Sequence, residues 1–313
     1  MPANPHISVV SPVYKSEKII PELVKRIVEA LSGITDNFEI ILVEDGSPDN
    51  CWHKIEDEAR KDERIKGIKL SRNFGQHFAI TAGLEKAKGD YVVVIDCDLQ
   101  DDPVYIPLLY EKAKEGFDII YTFKSARKHS FLKNITARFF NKIFNYLIDN
   151  KTFKSHKNVG SYSMLSRKAV NAFNSFNDYQ RHYLMVLRWL GFSSTYVEIK
   201  HKNRFQGKSS YNFSKLIIHA INGITSQSDK LLRTNVFLGM ILSLLSFLSI
   251  IVIILAYFLN GFMSGWASLI VVLLFSTGVI LTSIGISGIY IGKTFEQTKN
   301  RPKYIIDKTL NLQ

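Results

Sequence analysis

One long part of this sequence has no charged residue. Between Thr234 and Gly292 there is no Asp, Glu, Lys or Arg, whereas the residues before it are densely charged. Within it, the 24-residue apolar run from Val236 to Leu259 is long enough, at about 1.5 Å per residue, to cross a hydrocarbon core about 30 Å thick. A second run extends from Ala267 to Ile291. The absence of charge therefore predicts a hairpin of two transmembrane helices.

The turn between these runs lacks positive charge. Residues 260–265 contain no Lys or Arg, whereas both flanks of the hairpin are basic. By the positive-inside rule, the flanks belong to the cytoplasmic side. We therefore predict a protein of the inner (cytoplasmic) membrane with two spans, its large N-terminal part and both termini cytoplasmic. The flanking basic residues are Lys215, Lys230, Arg233, Lys293, Lys299, Arg301, Lys303 and Lys308.

Cysteine is scarce, and the N-terminus lacks a secretion signal. Cys51 and Cys97 both fall in the part predicted to be cytoplasmic, so no structural disulfide is expected. The first residues, MPANPHISVV, lack a charged-then-apolar pattern. The formal net charge of +12 is concentrated in residues 124–157 and beside the spans. Anionic lipid headgroups and phosphate ligands explain that distribution more simply than nucleic acid does.

The first part of the chain alternates strands with helices. The spacing is typical of βαβ units, which predicts an α/β fold with a mostly parallel sheet. Apolar runs predict strands at 6–10, 38–43, 65–70, 91–95 and 118–121, with helices at about 16–31, 52–60 and 74–86. Ligands bind beyond the carboxyl ends of such strands. We therefore expect one crevice lined by residues just past strand ends: Pro12, Asp45, Arg72 and Asp96.

The stretch YVVVIDCDLQDDP, Tyr91 to Pro103, has the strongest chemical signal. Its apolar start predicts a strand buried on both faces. If the extended conformation continues, Asp96 and Asp98 point the same way. Two carboxylates about 4 Å apart repel by roughly 4 kcal/mol at an effective dielectric near 20, which Mg²⁺ or Mn²⁺ would offset. The alternative is a solvated acidic turn that caps the helix beginning near Pro103.

Two further segments mix apolar and basic residues at helical spacing. Ser130 to Leu147 has the composition of a helix in a membrane interface, although a packed surface helix fits equally well. Phe213 to Leu232 is similar and leads directly into the first span, which favours the interfacial location there.

Five motifs, in this order, resemble those of the family 2 glycosyltransferases. Within that family the chain resembles the polyprenyl-phosphate type, which includes dolichyl-phosphate mannose synthases and bactoprenol glucosyltransferases, and the two C-terminal spans match the bactoprenol type. The resemblance covers essentially the whole chain and is strongest through Pro103. The motifs are SPVY (11–14), EDGSPD (44–49), LSRNFG (70–75), DCDLQDDP (96–103) and RFQGKSSY (204–211).

The resemblance implies a GT-A fold that binds a nucleotide sugar, with a UDP-sugar favoured. It implies inverting transfer of one sugar to polyprenyl (undecaprenyl) phosphate for surface polysaccharide or O-antigen modification. The chain then divides into a GT-A domain (1–211, with an interfacial helix at about 130–148), a juxtamembrane helix (212–233), the spans (234–292) and a cytoplasmic tail (293–313). Anchored enzymes of this kind also allow a homo-oligomer through their spans.

The resemblance also implies roles for individual residues. Chemistry supports a metal, because a divalent ion bridging the phosphates stabilises the charge that builds up on the leaving nucleoside diphosphate. Asp96, Asp98 and Gln100 would hold Mg²⁺ or Mn²⁺. The catalytic set is Asp96, Asp98 and Arg204. The donor set is Pro12, Tyr14, Asp45, Arg72, Asp96, Cys97 and Asp98. The residues for the acceptor phosphate are Lys124, Arg127, Lys133, Arg204 and Ser209, whose basic members suit phosphate recognition.

One motif departs from the family pattern. Where relatives carry an acidic residue, this chain reads NVGSY, Asn158 to Tyr162. A sugar hydroxyl acceptor needs a general base, whereas a phosphate monoester, with a second pKa of about 6, is already mostly ionised. Two alternatives stay open: extension of a lipid-linked saccharide, with Asp149 or Asp178 as the base, and a degenerate protein that binds nucleotide sugar without turnover. A nicotinamide-dependent dehydrogenase is disfavoured because SPVYKSE, after the first strand, lacks glycine.

Overall fold

The computed structural model describes residues 6–124, 159–179, 181–200, 229–260 and 265–312. The chain splits into two compact units. Among the described residues, unit 1 contains 6–124, 159–179, 181–200 and 301–312, and unit 2 contains 229–260 and 265–300. The chain therefore leaves unit 1 before its apolar part and returns to unit 1 after it.

Unit 1 is built on a mixed eight-stranded sheet in the order β7-β5-β6-β4-β1-β2-β3-β8. Strands β4, β1, β2 and β3 are parallel neighbours, β6 is antiparallel to β4 and β5, and β7 is parallel to β5. This arrangement confirms the predicted α/β class with a parallel central sheet. The strands are β1 Ile7–Val13, β2 Phe38–Glu44, β3 Ile65–Leu70, β4 Tyr91–Val94, β5 Ile119–Lys124, β6 Val159–Ser166, β7 Ser194–Ile199 and β8 Ile306–Leu310.

The first three helices lie close to the predicted places and the fourth begins near Pro103, whereas the fifth and sixth were not predicted. A 3₁₀ turn, Pro103–Tyr105, precedes the fourth helix. The helices of unit 1 are α1 Ile20–Ser32, α2 Cys51–Lys61, α3 Gln76–Lys86, α4 Ile106–Lys114, α5 Arg167–Ser175 and α6 Tyr183–Leu190. Those of unit 2 are α7 Lys230–Asn260 and α8 Trp266–Thr298.

The core has two layers, one on each face of the sheet. Side chains alternate along a strand, and β2 sends Ile40 and Leu42 to one hydrophobic cluster and Ile41 and Val43 to the other. The first cluster also contains the buried stripe of α1, and the second contains that of α3. Because every residue of β1 and β2 is buried, these strands are central.

The first strand is longer than predicted, which changes the position of one candidate residue. β1 continues to Val13, and Pro12 pairs in register with Val43. The prediction that Pro12 lies just past a strand end is therefore wrong. The apolar pattern hid this extension because Ser11 and Pro12 are typical of a loop. Both are buried nonetheless.

The C-terminal segment contains a strand that the sequence analysis did not predict. Ile306–Leu310 forms β8, antiparallel to β3 at the sheet edge. The Asn311 amide donates to the carbonyl oxygens of Ala59 and Ile65, both at 2.9 Å. The sequence IDKTL gives a weak strand signal because three of its five side chains are exposed. The division of the chain at residues 211, 233 and 292 stays a prediction.

Unit 2 contains two helices that are long and apolar enough to cross a membrane. Mean hydropathy reaches 2.9 in residues 230–255 and 2.5 in residues 268–298. The side-chain amide of Asn235 on α7 donates to the Ser283 hydroxyl on α8 at 2.7 Å. The predicted interfacial helix at about 130–148 and all of the predicted juxtamembrane helix before Asp229 lie outside the described residues.

Candidate functional site

The acidic stretch after β4 turns at the carboxyl edge of the sheet. β4 ends at Val94, Cys97 and Asp98 lie in a turn, and Leu99 has a positive φ of 56°. The extended conformation therefore does not reach Asp98, and the expectation that strand alternation aligns the two carboxylates is wrong. Instead the turn sets the direction of Asp98, whose carboxylate accepts the backbone N–H of Gln100 at 3.1 Å.

Two hydrogen bonds fix the Asp96 carboxylate. The Gln76 side-chain amide donates to Oδ1 at 2.6 Å, and the Ser161 hydroxyl donates to Oδ2 at 2.9 Å. Burial raises the pKa of Asp96 to about 6, with smaller contributions from the charges of Asp101 and Asp98. The carboxylate is thus held in one orientation in a place where its negative charge is unfavourable.

The oxygen ligands around this turn suit a divalent cation that is shared with a substrate. No group of three or more His, Cys, Asp or Glu side chains in the described part of the chain could hold a metal alone. Mg²⁺ typically binds through one or two carboxylates and completes its octahedron with substrate phosphates and water. Asp96 and Asp98 fit that pattern, since the unfavourable charge on Asp96 would be relieved by a cation. The predicted role of Gln100 as a metal ligand stays a prediction.

Lys124, a predicted contact of the acceptor phosphate, lies at the end of β5. Its ammonium pairs with the buried Asp101 carboxylate at 2.9 Å. The charge of Lys124 also lowers the pKa of Asp96, in opposition to burial. Lys124 therefore lies close to the acidic turn, with part of its charge already compensated. Its role towards a phosphate stays a prediction.

Asp45 joins the loop after β2 to the loop after β3. Its carboxylate accepts the backbone N–H groups of Phe74 at 2.7 Å and Gly75 at 2.9 Å, and the Asn73 amide donates to its carbonyl at 3.0 Å. Burial raises the pKa of Asp45. Asp45 therefore holds the loop that carries Arg72 in place. Its predicted contact with the donor stays a prediction.

Gly46 makes the close approach of these loops possible. It has a φ of +58°, and a Cβ there would lie 2.2 Å from the backbone nitrogen of Asn73. The neighbouring Glu44 accepts the backbone N–H of Ser47, which caps the turn. Burial raises the pKa of the Glu44 carboxyl.

The remaining predicted donor residues border the same edge. Tyr14 is 42% exposed, and the Lys15 ammonium lies 5.4 Å from the centre of its ring. Arg72 is exposed and stacks over Phe74 at 4.3 Å. Exposed aromatic and cationic groups suit a base and a diphosphate.

Ser16 contacts both cysteine side chains. The Cys97 thiol donates to the Ser16 hydroxyl at 3.2 Å, and the Ser16 backbone N–H donates to Cys51 Sγ at 3.2 Å. Both thiols are free. Burial raises the pKa of Cys51 to about 12 and that of Cys97 to about 11, so both are poor nucleophiles. The predicted contact of Cys97 with the donor stays a prediction.

Several predicted site residues lie outside the described residues: Arg127, Lys133, Asn158, Arg204 and Ser209. Their roles stay predictions. In the described part, the sequence analysis missed Gln76 and Ser161. Gln76 directly follows the LSRNFG motif, and Ser161 belongs to the segment that departs from the family pattern. Both residues therefore adjoin or belong to a motif that the sequence analysis had already singled out.

Comparison with known proteins identifies the family. Residues 8–173 match the family described as "Glycosyl transferase family 2". The chain belongs to glycosyltransferase family 2. The match spans β1 to α5 and therefore includes both loops joined by Asp45 and the acidic turn.

Full-length relatives carry more specific names. The "SfII prophage-derived bactoprenol glucosyl transferase" of Shigella flexneri is 36% identical over 97% of this chain and 98% of its own length. The "undecaprenyl-phosphate 4-deoxy-4-formamido-L-arabinose transferase" of Proteus mirabilis is 30% identical over 98% of this chain and 94% of its own length.

A solved structure supports the predicted GT-A fold. Glucosyl-3-phosphoglycerate synthase from Mycobacterium tuberculosis, crystallised with Mn²⁺, UDP and phosphoglyceric acid, has a TM-score of 0.53. It is 18% identical, and the superposition covers 71% of this chain and 76% of that one. At this identity the likeness concerns the fold alone.

Proposed function

We propose that this glycosyltransferase moves one sugar from a nucleotide sugar to polyprenyl phosphate at the cytoplasmic face of a membrane. The observation that carries the proposal is the Asp96 carboxylate, oriented by Gln76 and Ser161 beside the Asp98 turn. A family 2 domain followed by two candidate spans supports a lipid acceptor. The names of two relatives that match over nearly their whole length point to the same acceptor class.

The residues of the acidic turn act on the leaving group. Asp96 and Asp98, with Gln100, would hold Mg²⁺ or Mn²⁺, and the cation would stabilise the charge on the departing diphosphate. Arg72, exposed at the same sheet edge, would add a cationic contact. Asp45 keeps Arg72 in place through the two backbone hydrogen bonds that it accepts.

The acceptor needs less help from the protein than a sugar hydroxyl would. A phosphate oxygen of the lipid forms the bond to the anomeric carbon while the bond to the nucleoside diphosphate breaks, which inverts the configuration. The attacking oxygen is already ionised at neutral pH, so no proton has to be removed. Accordingly, the segment that lacks the family's carboxylate contributes the Ser161 hydroxyl, which donates a hydrogen bond to the Asp96 carboxylate.

The return of the chain to unit 1 supports a hairpin anchor. Residues on both sides of the apolar part belong to unit 1, so an even number of membrane crossings joins them. Two candidate helices satisfy that condition. The basic flanks then favour the cytoplasm for unit 1, where nucleotide sugars are available.

A donor screen tests the proposal. The full-length protein is incubated with undecaprenyl phosphate, Mg²⁺ or Mn²⁺ and a panel of nucleotide sugars led by UDP-sugars. We expect one donor to give equal amounts of nucleoside diphosphate and glycosylated lipid. Chelation with EDTA and the Asp98→Asn substitution should each abolish this transfer. Asp57→Asn is the matched control, because Asp57 lies on α2 in a surface ion pair with Lys54 at 3.4 Å.

Two outcomes would contradict the proposal. Transfer to a sugar hydroxyl on a lipid-linked saccharide, with no transfer to polyprenyl phosphate, would establish the extension reaction instead. Calorimetric binding of a donor without turnover across the whole panel would establish a degenerate binder.

A further inference from the structure

Ser161, which donates to Asp96, lies in a part of β6 where the register with both neighbouring strands is interrupted. The register with β4 ends at the pair of Ser163 and Val94, and the register with β5 shifts opposite residues 159–163. Such a shift disrupts the ladder of backbone hydrogen bonds locally. Side chains therefore have to supply part of what fixes Ser161.

Two further hydroxyl groups supply that support. Ser163 lies two residues after Ser161 and therefore on the same face of β6. Its hydroxyl donates to the Ser161 carbonyl at 2.9 Å. The hydroxyl oxygens of Ser163 and Tyr183 lie 2.7 Å apart. Because the single hydroxyl proton of Ser163 is already engaged, Tyr183 is the donor in this contact.

The surroundings of Tyr183 keep its hydroxyl in the donor form. Tyr183 is buried, and its ring packs edge-on against Phe173 with the ring centres 5.7 Å apart. Burial raises the pKa of Tyr183, and the charges of Tyr121 and Asp96 raise that pKa further. The hydroxyl therefore keeps its proton at neutral pH and can donate it to Ser163.

A second set of contacts links Tyr183 to the other Asp96 oxygen. Tyr183 is the first residue of α6, where backbone N–H groups have no partner within the helix. Its N–H donates to His77 Nδ1 at 3.4 Å, and the His182 ring lies against the His77 ring with centres 4.1 Å apart. His77 directly follows Gln76 at the start of α3, and Gln76 donates to Asp96 Oδ1.

We propose that Tyr183 and His77 are positioning residues for the divalent cation that Asp96 would hold. Tyr183 acts on Oδ2 through the two serines, and His77 acts on Oδ1 through its neighbour Gln76. A closed ring of contacts, all within unit 1, therefore holds the carboxylate from both sides. The inference rests on the proposed function and deepens it, because it names residues that set metal affinity without touching the metal.

Removal of the Tyr183 hydroxyl provides the test. Tyr183→Phe keeps the ring and its packing, so the fold should be retained. Mn²⁺ binding to the full-length protein is measured in the presence of UDP by electron paramagnetic resonance of the free ion. A direct support of a metal ligand is worth 10-fold to 100-fold in affinity, so for this more distant one we expect the Kd for Mn²⁺ to rise by about three- to tenfold. The transfer rate at saturating Mn²⁺ should be largely retained.

Tyr162→Phe is the matched control. Tyr162 lies on β6 between the two serines and is fully buried, but its hydroxyl has no hydrogen-bond partner among the described residues. We expect this variant to bind Mn²⁺ as the wild type does. If Tyr183→Phe behaves like Tyr162→Phe, the role of Tyr183 is overturned.

A double substitution separates positioning from packing. If Tyr183 acts through Ser161, Tyr183→Phe should change the Kd for Mn²⁺ little once Ser161→Ala has removed the contact with Asp96. Two separate effects would instead multiply in the double variant. Multiplication would show that Tyr183 acts by another route, which would overturn the inference.

His77 is tested in the same assay. His77→Phe removes the acceptor of the Tyr183 N–H and keeps a ring beside His182. We expect the Kd for Mn²⁺ to rise about threefold, as for the loss of one modest hydrogen bond. His77→Gln, which retains an acceptor oxygen, should restore part of the affinity, and His53→Phe, at an exposed position on α2, is the control. Wild-type affinity in His77→Phe would overturn the role of His77.

Failure of the proposed function would look different. A wild-type protein that binds Mn²⁺ with UDP but transfers sugar to no acceptor would contradict the proposed function, while the Mn²⁺ affinities of the variants would still decide this inference. A wild-type protein that binds no Mn²⁺ would contradict the metal role of Asp96 and would overturn this inference with it. An active wild type with unchanged affinities in the variants would overturn the positioning roles alone.

Discussion

At the scale of single residues, the ionised Asp96 carboxylate that the proposed function requires lowers the stability of the metal-free fold. Burial raises its pKa from 3.8 to about 6, so the folded protein binds a proton there more readily than the unfolded chain does. Ionised Asp96 therefore destabilises the metal-free fold above pH 6, and the cost disappears as the pH falls below about 4. Two pKa units correspond to at most about 3 kcal/mol.

Asp96→Asn should consequently stabilise the metal-free protein while it abolishes transfer. We expect the free energy of unfolding to rise by about 1–3 kcal/mol at pH 7.5, with a much smaller gain near pH 4.5. Thermal unfolding of both forms across this pH range measures the effect. Mn²⁺ should raise the Tm of the wild type but not of the variant. A lower Tm for Asp96→Asn at pH 7.5 would show that the ionised carboxylate is stabilising.

Ser161 is predicted to act on metal affinity through Asp96. Ser161→Ala removes the 2.9 Å hydrogen bond to Oδ2 and leaves that oxygen free to rotate away. Loss of such a supporting contact typically costs 10-fold to 100-fold in metal affinity. We expect a rise of about tenfold in the Mn²⁺ concentration for half-maximal rate, with the rate at saturating Mn²⁺ largely retained. Ser175→Ala, at the exposed end of α5, is the control.

At the scale of elements, the joined loops depend on backbone geometry at Gly46. Gly46→Ala puts a Cβ against the backbone of Asn73 at a positive φ, so the loops must separate. We expect a loss of about 2 kcal/mol or more in the free energy of unfolding and a higher donor KM. Gly33→Ala is the matched control, because its φ is −78° and its Cβ would meet no atom within 4 Å.

The Gly33→Ala control is expected to change the free energy of unfolding in the opposite direction. Alanine at a compatible glycine position restricts the unfolded chain and stabilises by about 0.4–1 kcal/mol. Thermal or denaturant unfolding compares the two variants. Equal effects at Gly46 and Gly33 would contradict the role assigned to the loop contact.

The edge strand β8 should contribute measurably to the stability of unit 1. Asn311→Ala removes two hydrogen bonds to carbonyl oxygens and places alanine at a positive φ of 54°. We expect a loss of about 1–3 kcal/mol in the free energy of unfolding. Lys308→Ala, exposed on the same strand, should change stability by less than about 0.5 kcal/mol. Similar stability losses in both variants would argue against a specific role for Asn311.

At the scale of the whole molecule, the hairpin topology can be mapped with introduced cysteines. Cys51 is buried and Cys97 is partly buried, and their pKa values are raised to about 12 and about 11, so neither thiol should react readily with maleimides near neutral pH. Gly265→Cys reports on the turn and Thr298→Cys on the end of α8. In right-side-out vesicles a membrane-impermeant maleimide should label only Gly265→Cys, and permeabilisation should expose Thr298→Cys. Labelling of both before permeabilisation would exclude the hairpin.

The sequence determined the elements whose signals are local. Buried strands read as unbroken apolar runs, so the bounds of β3 were predicted without error and those of β2 and β4 within one residue. The two candidate spans follow from length and absence of charge alone. The five family motifs are also local, and the comparison places the chain in the family they suggested.

Only the tertiary structure determined which of these elements and loops contact one another. Asp96 is oriented by Gln76 and by Ser161, which is 65 residues away, and Asp45 is engaged by a loop about 30 residues away. The strand β8 returns to β3 from more than 230 positions along the chain. Each of these contacts forms because the folded sheet brings distant backbone together, and no local pattern of residues encodes that distance.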